Sequence, residues 1–120
     1  MSGSMLERCG GFTTVRKVVA AFYDKVLDSP SLSRHFANVD MRALIDHQTK
    51  FITYVMGGPA SFPDSQIERV HAQLGVTRAE FGEMMAALEA TLVDFDMEPD
   101  DIEHVRREVG RRERLVVAET

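Results

Sequence analysis

Two histidines stand where a hydrophobic residue is expected. In QIERVHAQLGV, residues 66–76, Ile67, Val70, His71 and Leu74 recur at i, i+3, i+4 and i+7, the spacing of one helical face. Counting from Leu44, His47 falls at i+3, Gln48 at i+4 and Phe51 at i+7, so His47 also shares an apolar face. A single inward imidazole is ordinarily a core histidine held by one carbonyl hydrogen bond. Two of them on separate helices, flanked by Phe22, Phe36, Phe51 and Phe81 in a chain without tryptophan, point to a large flat apolar guest between them. Imidazole is a favoured axial ligand of haem iron, and haem needs an apolar slot of this kind. His35 and His104 have polar neighbours and are expected at the surface.

Other metal chemistry is poorly supplied. Glu68-x-x-His71 matches the Glu-x-x-His element of di-iron bundles, and Asp101-x-x-His104 is a weak echo of it. Such a centre needs two good copies and further inward carboxylates from two other helices, which the pattern does not provide. Glu68 also has a simpler role as the reciprocal partner of Ser65 in a capping box. No His-Glu-x-x-His motif or Cys/His cluster is present for zinc.

The elements that must position these residues read as helical throughout. After Gly10 and Gly11 an apolar series runs through Phe12, Val15, Val18, Val19, Phe22 and Val26, with Tyr23 beside it, and stops at Pro30. Asp40 is the N-cap of a helix that carries Leu44, Gln48, Phe51, Ile52 and Val55 and ends at Gly57, Gly58 and Pro59. Ser65 with Glu68, and Thr77 with Glu80, are capping boxes that open a short helix around His71 and a long one through Phe81, Met84, Met85, Leu88 and Leu92. Pro99 stands in the first turn of a last helix with Ile102, Val105 and Val109 inward. No segment alternates with period two for long enough to be a strand, so the expected class is all-α.

Composition bounds the function. With 120 residues, 44% hydrophobic and 28% charged, the chain is expected to form a single domain over residues 1–120, with 1–5 flexible. A net charge of -5 argues against a nucleic-acid partner. The densest basic stretch, RREVGRRER at residues 106–114, is interrupted by Glu108 and Glu113 and reads as a solvated helix face. The lone Cys9 excludes an internal disulfide framework and suits a reducing compartment. No run is long enough to cross a membrane and no secretion signal is present, so a cytoplasmic protein without a membrane partner is expected.

The strings AFYDKVL, RHFANVDM, HQTKFITYVMGGP and VHAQLGV, in that order and together with Gly10 and Gly11, resemble the truncated haemoglobins, specifically their first group. The likeness extends from about Leu6 to Val116 and implies a two-over-two helical sandwich around haem b. It implies His71 as the proximal iron ligand, with Tyr23 and Gln48 as distal hydrogen-bond donors to a bound diatomic ligand. It puts Leu44 at the distal gate, Phe36 on the haem face, and Phe51, Ile67, Val76 and Phe81 around the pocket. Ordinary core packing is the competing account of these apolar residues. Arg42 and Lys50 become candidates for pairing with haem propionates. VDMRALIDHQTKF is close to cyanobacterial and algal members in which the residue at the position of His47 coordinates iron from the distal side. A covalent link from a C-terminal histidine to a haem vinyl group, found in some cyanobacterial relatives, is not expected, because no histidine follows His104.

Three functional readings remain open. The resemblance allows a monomeric haem protein that binds or transports dioxygen, binds nitric oxide and carbon monoxide, and turns nitric oxide over to nitrate. The absence of a flavin or nicotinamide domain then calls for an unidentified external reductase. The second reading is a redox or gas-sensing haemoprotein without turnover. The third is a haem-free helical interaction module.

Overall fold

A computed structural model describes residues 5–57, 76–113 and 117. Every extended element among them is helical: α1 (Met5–Cys9), α2 (Gly11–Asp28), α3 (Pro30–Ser33), a 3-10 turn (Arg34–Phe36), α4 (Met41–Val55), α5 (Arg78–Asp94) and α6 (Pro99–Gly110). Val76 and Val117 form an isolated parallel β-bridge. The expected all-α class holds.

The local signals that delimit these helices act as their chemistry requires. Gly10 and Gly11 take φ of 117° and 82°, a left-handed pair that turns the chain between α1 and α2. A Cβ at Gly10 would run into the Thr14 side chain. Asp40 Oδ1 accepts from the Ala43 N–H at 3.2 Å and caps α4. Thr77 and Glu80 form the full reciprocal capping box at the start of α5, and Pro99 occupies the first turn of α6. α4 stops where Gly57 turns left-handed at φ 91°. The Ser65–Glu68 box lies outside the described residues.

Packing follows the apolar stripes. α2 buries Val15, Val18, Val19, Tyr23 and Val26 and packs against both α4 and α5; α5 packs on α6, and α6 on α4. The result is one helix pair, α2 with α4, set against another, α5 with α6, the two-over-two arrangement expected. Val15, Val26 and Val105 are fully buried, each worth roughly 1.5–3 kcal/mol relative to an exposed valine. Phe12 begins the α2 apolar series yet is 49% exposed. It lies in the first turn of α2, one step beyond Val15, the first residue of that stripe to be covered.

α4 carries the distal candidates, and its C-terminal end is tied down from two sides. The last carbonyls of a helix have no partner within it. Here the Val55 carbonyl takes a hydrogen bond from His104 Nε2 at 3.0 Å, and the Met56 carbonyl takes one from the Leu6 N–H at 3.1 Å. An Arg8–Asp101 ion pair at 2.8 Å joins α1 to α6 over the same end. His104, expected at the surface, is therefore a half-buried structural donor. α1 itself has no signal in the sequence, because five residues are too few to display a period.

Candidate functional site

Between α2, α4 and α5 lies an apolar cleft with about 670 Å3 of empty space, counting its open mouth. α2 lines it with Val19, Phe22 and Tyr23, α4 with Gln48, Phe51 and Ile52, α5 with Phe81, Met84, Met85 and Leu88, and the C-terminal side with Val109 and Arg112. Four of the expected site residues, Tyr23, Gln48, Phe51 and Phe81, thus share one wall system. Gln48, Phe51 and Ile52 reach it together because i, i+3 and i+4 fall on one side of α4.

Tyr23 is 3% exposed. Burial pushes its phenol well above the ordinary tyrosine range, so the hydroxyl keeps its proton and can donate a hydrogen bond. Its ring is held edge-on by Phe22, centroids 4.8 Å apart, and by Phe36 at 5.9 Å. Phe36 is buried behind Tyr23 and is not part of the cleft wall. Leu44 and Val76 are also buried core residues that do not line it.

His47 is half-buried on α4, next to Gln48 but not on the cleft wall. Burial, followed by the charge of Lys50, pushes its imidazole below the ordinary range, which favours the neutral form that can bind a metal. Arg42 and Lys50 are exposed on the same helix. Their charges join that of Arg16, the main cause, in holding the exposed Asp46 carboxyl low; Arg16 pairs with Asp46 and so links α2 to α4. His71 and Ile67 lie outside the described residues.

Two further readings of the sequence are corrected. His35 is not at the surface: its side chain is 10% exposed and its Nε2 lies 2.9 Å from Glu80 Oε1. Glu80 is polar and sits at the start of a helix, but it is the point on which the preceding corner is fastened, so burial follows. The basic stretch at residues 106–114 is not wholly solvated either. Arg112 has a side chain only 5% exposed, its guanidinium carbon 5.4 Å from the centre of the Phe51 ring. Arg112 Nη1 donates to the Glu108 carbonyl at 2.6 Å and to Glu108 Oε1 at 3.2 Å. Nothing in the local charge pattern distinguishes it from Arg111, which is exposed.

The donor set fits a haem guest. Among the described residues the cleft is hydrocarbon, aromatic and thioether apart from Tyr23, Gln48 and Arg112, and a porphyrin asks for such walls with a few placed polar groups. No cluster of three or more His, Cys, Asp or Glu able to hold a bare metal ion occurs among the described residues.

The bacterial-like globin family model matches residues 4–117. The chain is similar to the group 1 truncated haemoglobin GlbN of Synechocystis sp., 31% identical over 111 residues that cover 89% of this chain and 90% of that protein. It is similar to the 2/2 haemoglobin of Synechococcus sp., solved in the cyanomet state with covalently attached haem: TM-score 0.87, 32% identity, 98% of this chain and 100% of that one. The Fe(III) truncated haemoglobin of Tetrahymena pyriformis shares the fold at TM-score 0.85 and 23% identity, over 98% of this chain and 100% of that one.

Proposed function

Since this chain belongs to the truncated haemoglobins of the bacterial-like globin family, whose members bind diatomic gases through haem, we propose that it binds haem b through His71 and takes dioxygen, nitric oxide and carbon monoxide on the side of Tyr23 and Gln48. The observation that carries this reading is the pairing of those two donors on the wall of an otherwise apolar cleft. Bound haem supplies a ferrous centre that passes electron density to a diatomic ligand. The chain's own work is to place and shield that ligand.

Tyr23, kept protonated by burial, offers a hydroxyl donor where negative charge develops, and Gln48 adds an amide donor from the next helix. Phe22 and Phe36 fix the direction of the phenol by packing on its ring. Phe51, Ile52, Phe81 and Leu88 keep the cleft dry, which strengthens each hydrogen bond made inside it. His47 stands one residue before Gln48 and off the cleft wall; turned inward, it would hold the iron from the distal side at rest and compete with incoming gas, lowering apparent affinity by the competent fraction. Arg42 and Lys50, exposed along α4, are the residues that would pair with the propionates.

Oxidation of nitric oxide to nitrate extends this reading and needs electrons from a separate reductase, with the chain acting as a monomer in the cytoplasm. Among the described residues no helix is long and apolar enough to cross a membrane. The deciding experiment is the absorption spectrum of the purified protein after haem addition, ferric and ferrous. A stoichiometric Soret band that shifts with carbon monoxide is expected; free-haem spectra throughout would leave the helical interaction module as the better reading.

A further inference from the structure

We propose that Glu80 is a positioning residue for Tyr23, setting through His35 and Phe36 the direction in which the phenol donates its hydrogen bond; the inference rests on the haem reading above. Tyr23 lies on α2, and two rings pack edge-on against it. Phe22 is its neighbour on the same helix and moves with it, whereas Phe36 comes from the 3-10 turn and fixes the phenol relative to the rest of the fold. The placement of that turn therefore matters to the donor.

Glu80 stands in the first turn of α5, and its carboxylate reaches across to the 3-10 turn, where Oε1 takes His35 Nε2 at 2.9 Å and Oε2 takes Arg34 Nη2 at 2.8 Å. Arg34, Thr77 and His35 hold the carboxyl well below its usual range, so it is ionised at neutral pH and offers no proton. His35 Nε2 is then the donor. Removing the carboxylate deprives a nearly buried N–H of its acceptor and draws the turn towards water, carrying Phe36 away from the Tyr23 ring. A hydrogen bond weakens steeply as its donor swings off line. Glu83 supplies the comparison: it lies three residues further along α5, and its carboxylate takes Ser31 Oγ at 2.6 Å and also pairs with Ser29. Both serines precede the 3-10 turn, so Glu83 fastens the same corner at a point that does not carry Phe36.

The test measures dissociation of dioxygen and of carbon monoxide from the haem-loaded protein, together with the infrared C–O stretching band of the carbon monoxide complex. Glu80→Ala is expected to speed dioxygen dissociation about fivefold, part of what losing the Tyr23 hydroxyl outright would do, and to leave carbon monoxide within about twofold, because that ligand carries less negative charge for a donor to meet. The C–O band should move to higher frequency as the donor swings away. His35→Leu should act in the same way, and it keeps the test alive if Glu80→Ala fails to fold. Glu80→Gln, which retains an acceptor for His35, should fall between wild type and Glu80→Ala, and Glu83→Gln should match wild type. In a Tyr23→Phe background Glu80→Ala should add nothing, since no hydroxyl is left to direct. Equal acceleration with and without that hydroxyl would overturn the inference, as would parallel changes in the two gases or an equal effect from Glu83→Gln, each the mark of a general loosening of the corner. An effect of Glu80→Ala that His35→Leu does not reproduce would also overturn it, because the route would then run through the helix cap and Phe81. A dioxygen rate that responds to Tyr23→Phe but to neither Glu80→Ala nor His35→Leu would overturn this inference alone. No Soret band in the wild type, or a rate indifferent to Tyr23→Phe, would overturn the reading of the site and this inference with it.

Discussion

Glu80 Oε1 accepts from His35 Nε2 at 2.9 Å, and both side chains are at most one-tenth exposed, 9% and 10%. The same carboxylate takes the Thr77 N–H on Oε1 at 2.9 Å and Arg34 Nη2 on Oε2 at 2.8 Å. One glutamate thereby fastens the 3-10 turn to the start of α5. Phe36 follows His35 in that turn and packs on Tyr23, so the clamp reaches the candidate donor through one ring.

Removing the clamp has a pH signature. Arg34, then Thr77 and His35, hold the Glu80 carboxyl down at about 2, against 4.5 ordinarily. A depressed carboxyl contributes stability that is fully present above pH 4.5 and is lost as pH falls towards 2. Arg34 is 66% exposed, so solvent screens its share. Glu80→Gln should cost on the order of 1 kcal/mol at neutral pH, and the gap from wild type should close across the acid window in urea titrations. A gap constant from neutral pH to pH 2 would refute the electrostatic account.

Tyr23→Phe removes one hydroxyl while keeping the ring packing with Phe22 and Phe36. A hydrogen bond to a partly charged group is worth about 1.5–3 kcal/mol, so dioxygen dissociation should accelerate by roughly one to two orders of magnitude. Stopped-flow displacement by carbon monoxide reads this directly. An unchanged rate would move the stabilising role to Gln48.

His71→Ala should abolish stable haem retention in the native geometry, and exogenous imidazole should restore part of it by supplying the missing ligand. Gel filtration of the haem-loaded variant, with and without imidazole, followed at the Soret wavelength, is the measurement. Full retention with the wild-type spectrum would remove His71 as the proximal ligand.

His47→Leu keeps the apolar volume and deletes the imidazole. Two imidazoles on iron make it low-spin, while one leaves it largely high-spin, so the ferric wild type should be low-spin and the variant high-spin, with faster carbon monoxide binding. If both are high-spin at neutral pH, the resting iron is five-coordinate or water-bound, and Tyr23 and Gln48 face the ligand alone.

Much of this protein can be read from short stretches because the physics involved is local. Asp40, Thr77 with Glu80, and Pro99 act within one helical turn of themselves, and each lies where its type requires. The stripe from Val15 to Val26 and the step from Gln48 to Phe51 follow from the helical period alone, and they bring Tyr23, Gln48, Phe51 and Phe81 to one cleft once the helices pack. Phe36, Leu44 and Val76 are equally apolar and equally buried, yet they face the core, since a hydrophobic side chain carries no mark that separates a cleft wall from the packing behind it.

The polar interior was decided by tertiary structure. His104 meets the Val55 carbonyl from 49 positions away, and His35 meets Glu80 from 45. Polar side chains are buried only where a distant partner replaces water, and no local pattern reports that partner. Arg112 is the clearest instance: within a run of charges that locally reads as solvated, the turn after α6 brings one guanidinium over Phe51 of α4 and leaves Arg111 in water. The starts of α2, α4, α5 and α6 and the apolar faces they turn inward were legible in short stretches, because backbone capping and side-chain periodicity act over a few residues. Which charges enter the cleft depended on helices meeting across the chain, because only that contact supplies the ring and the carbonyl that replace water around a buried cation.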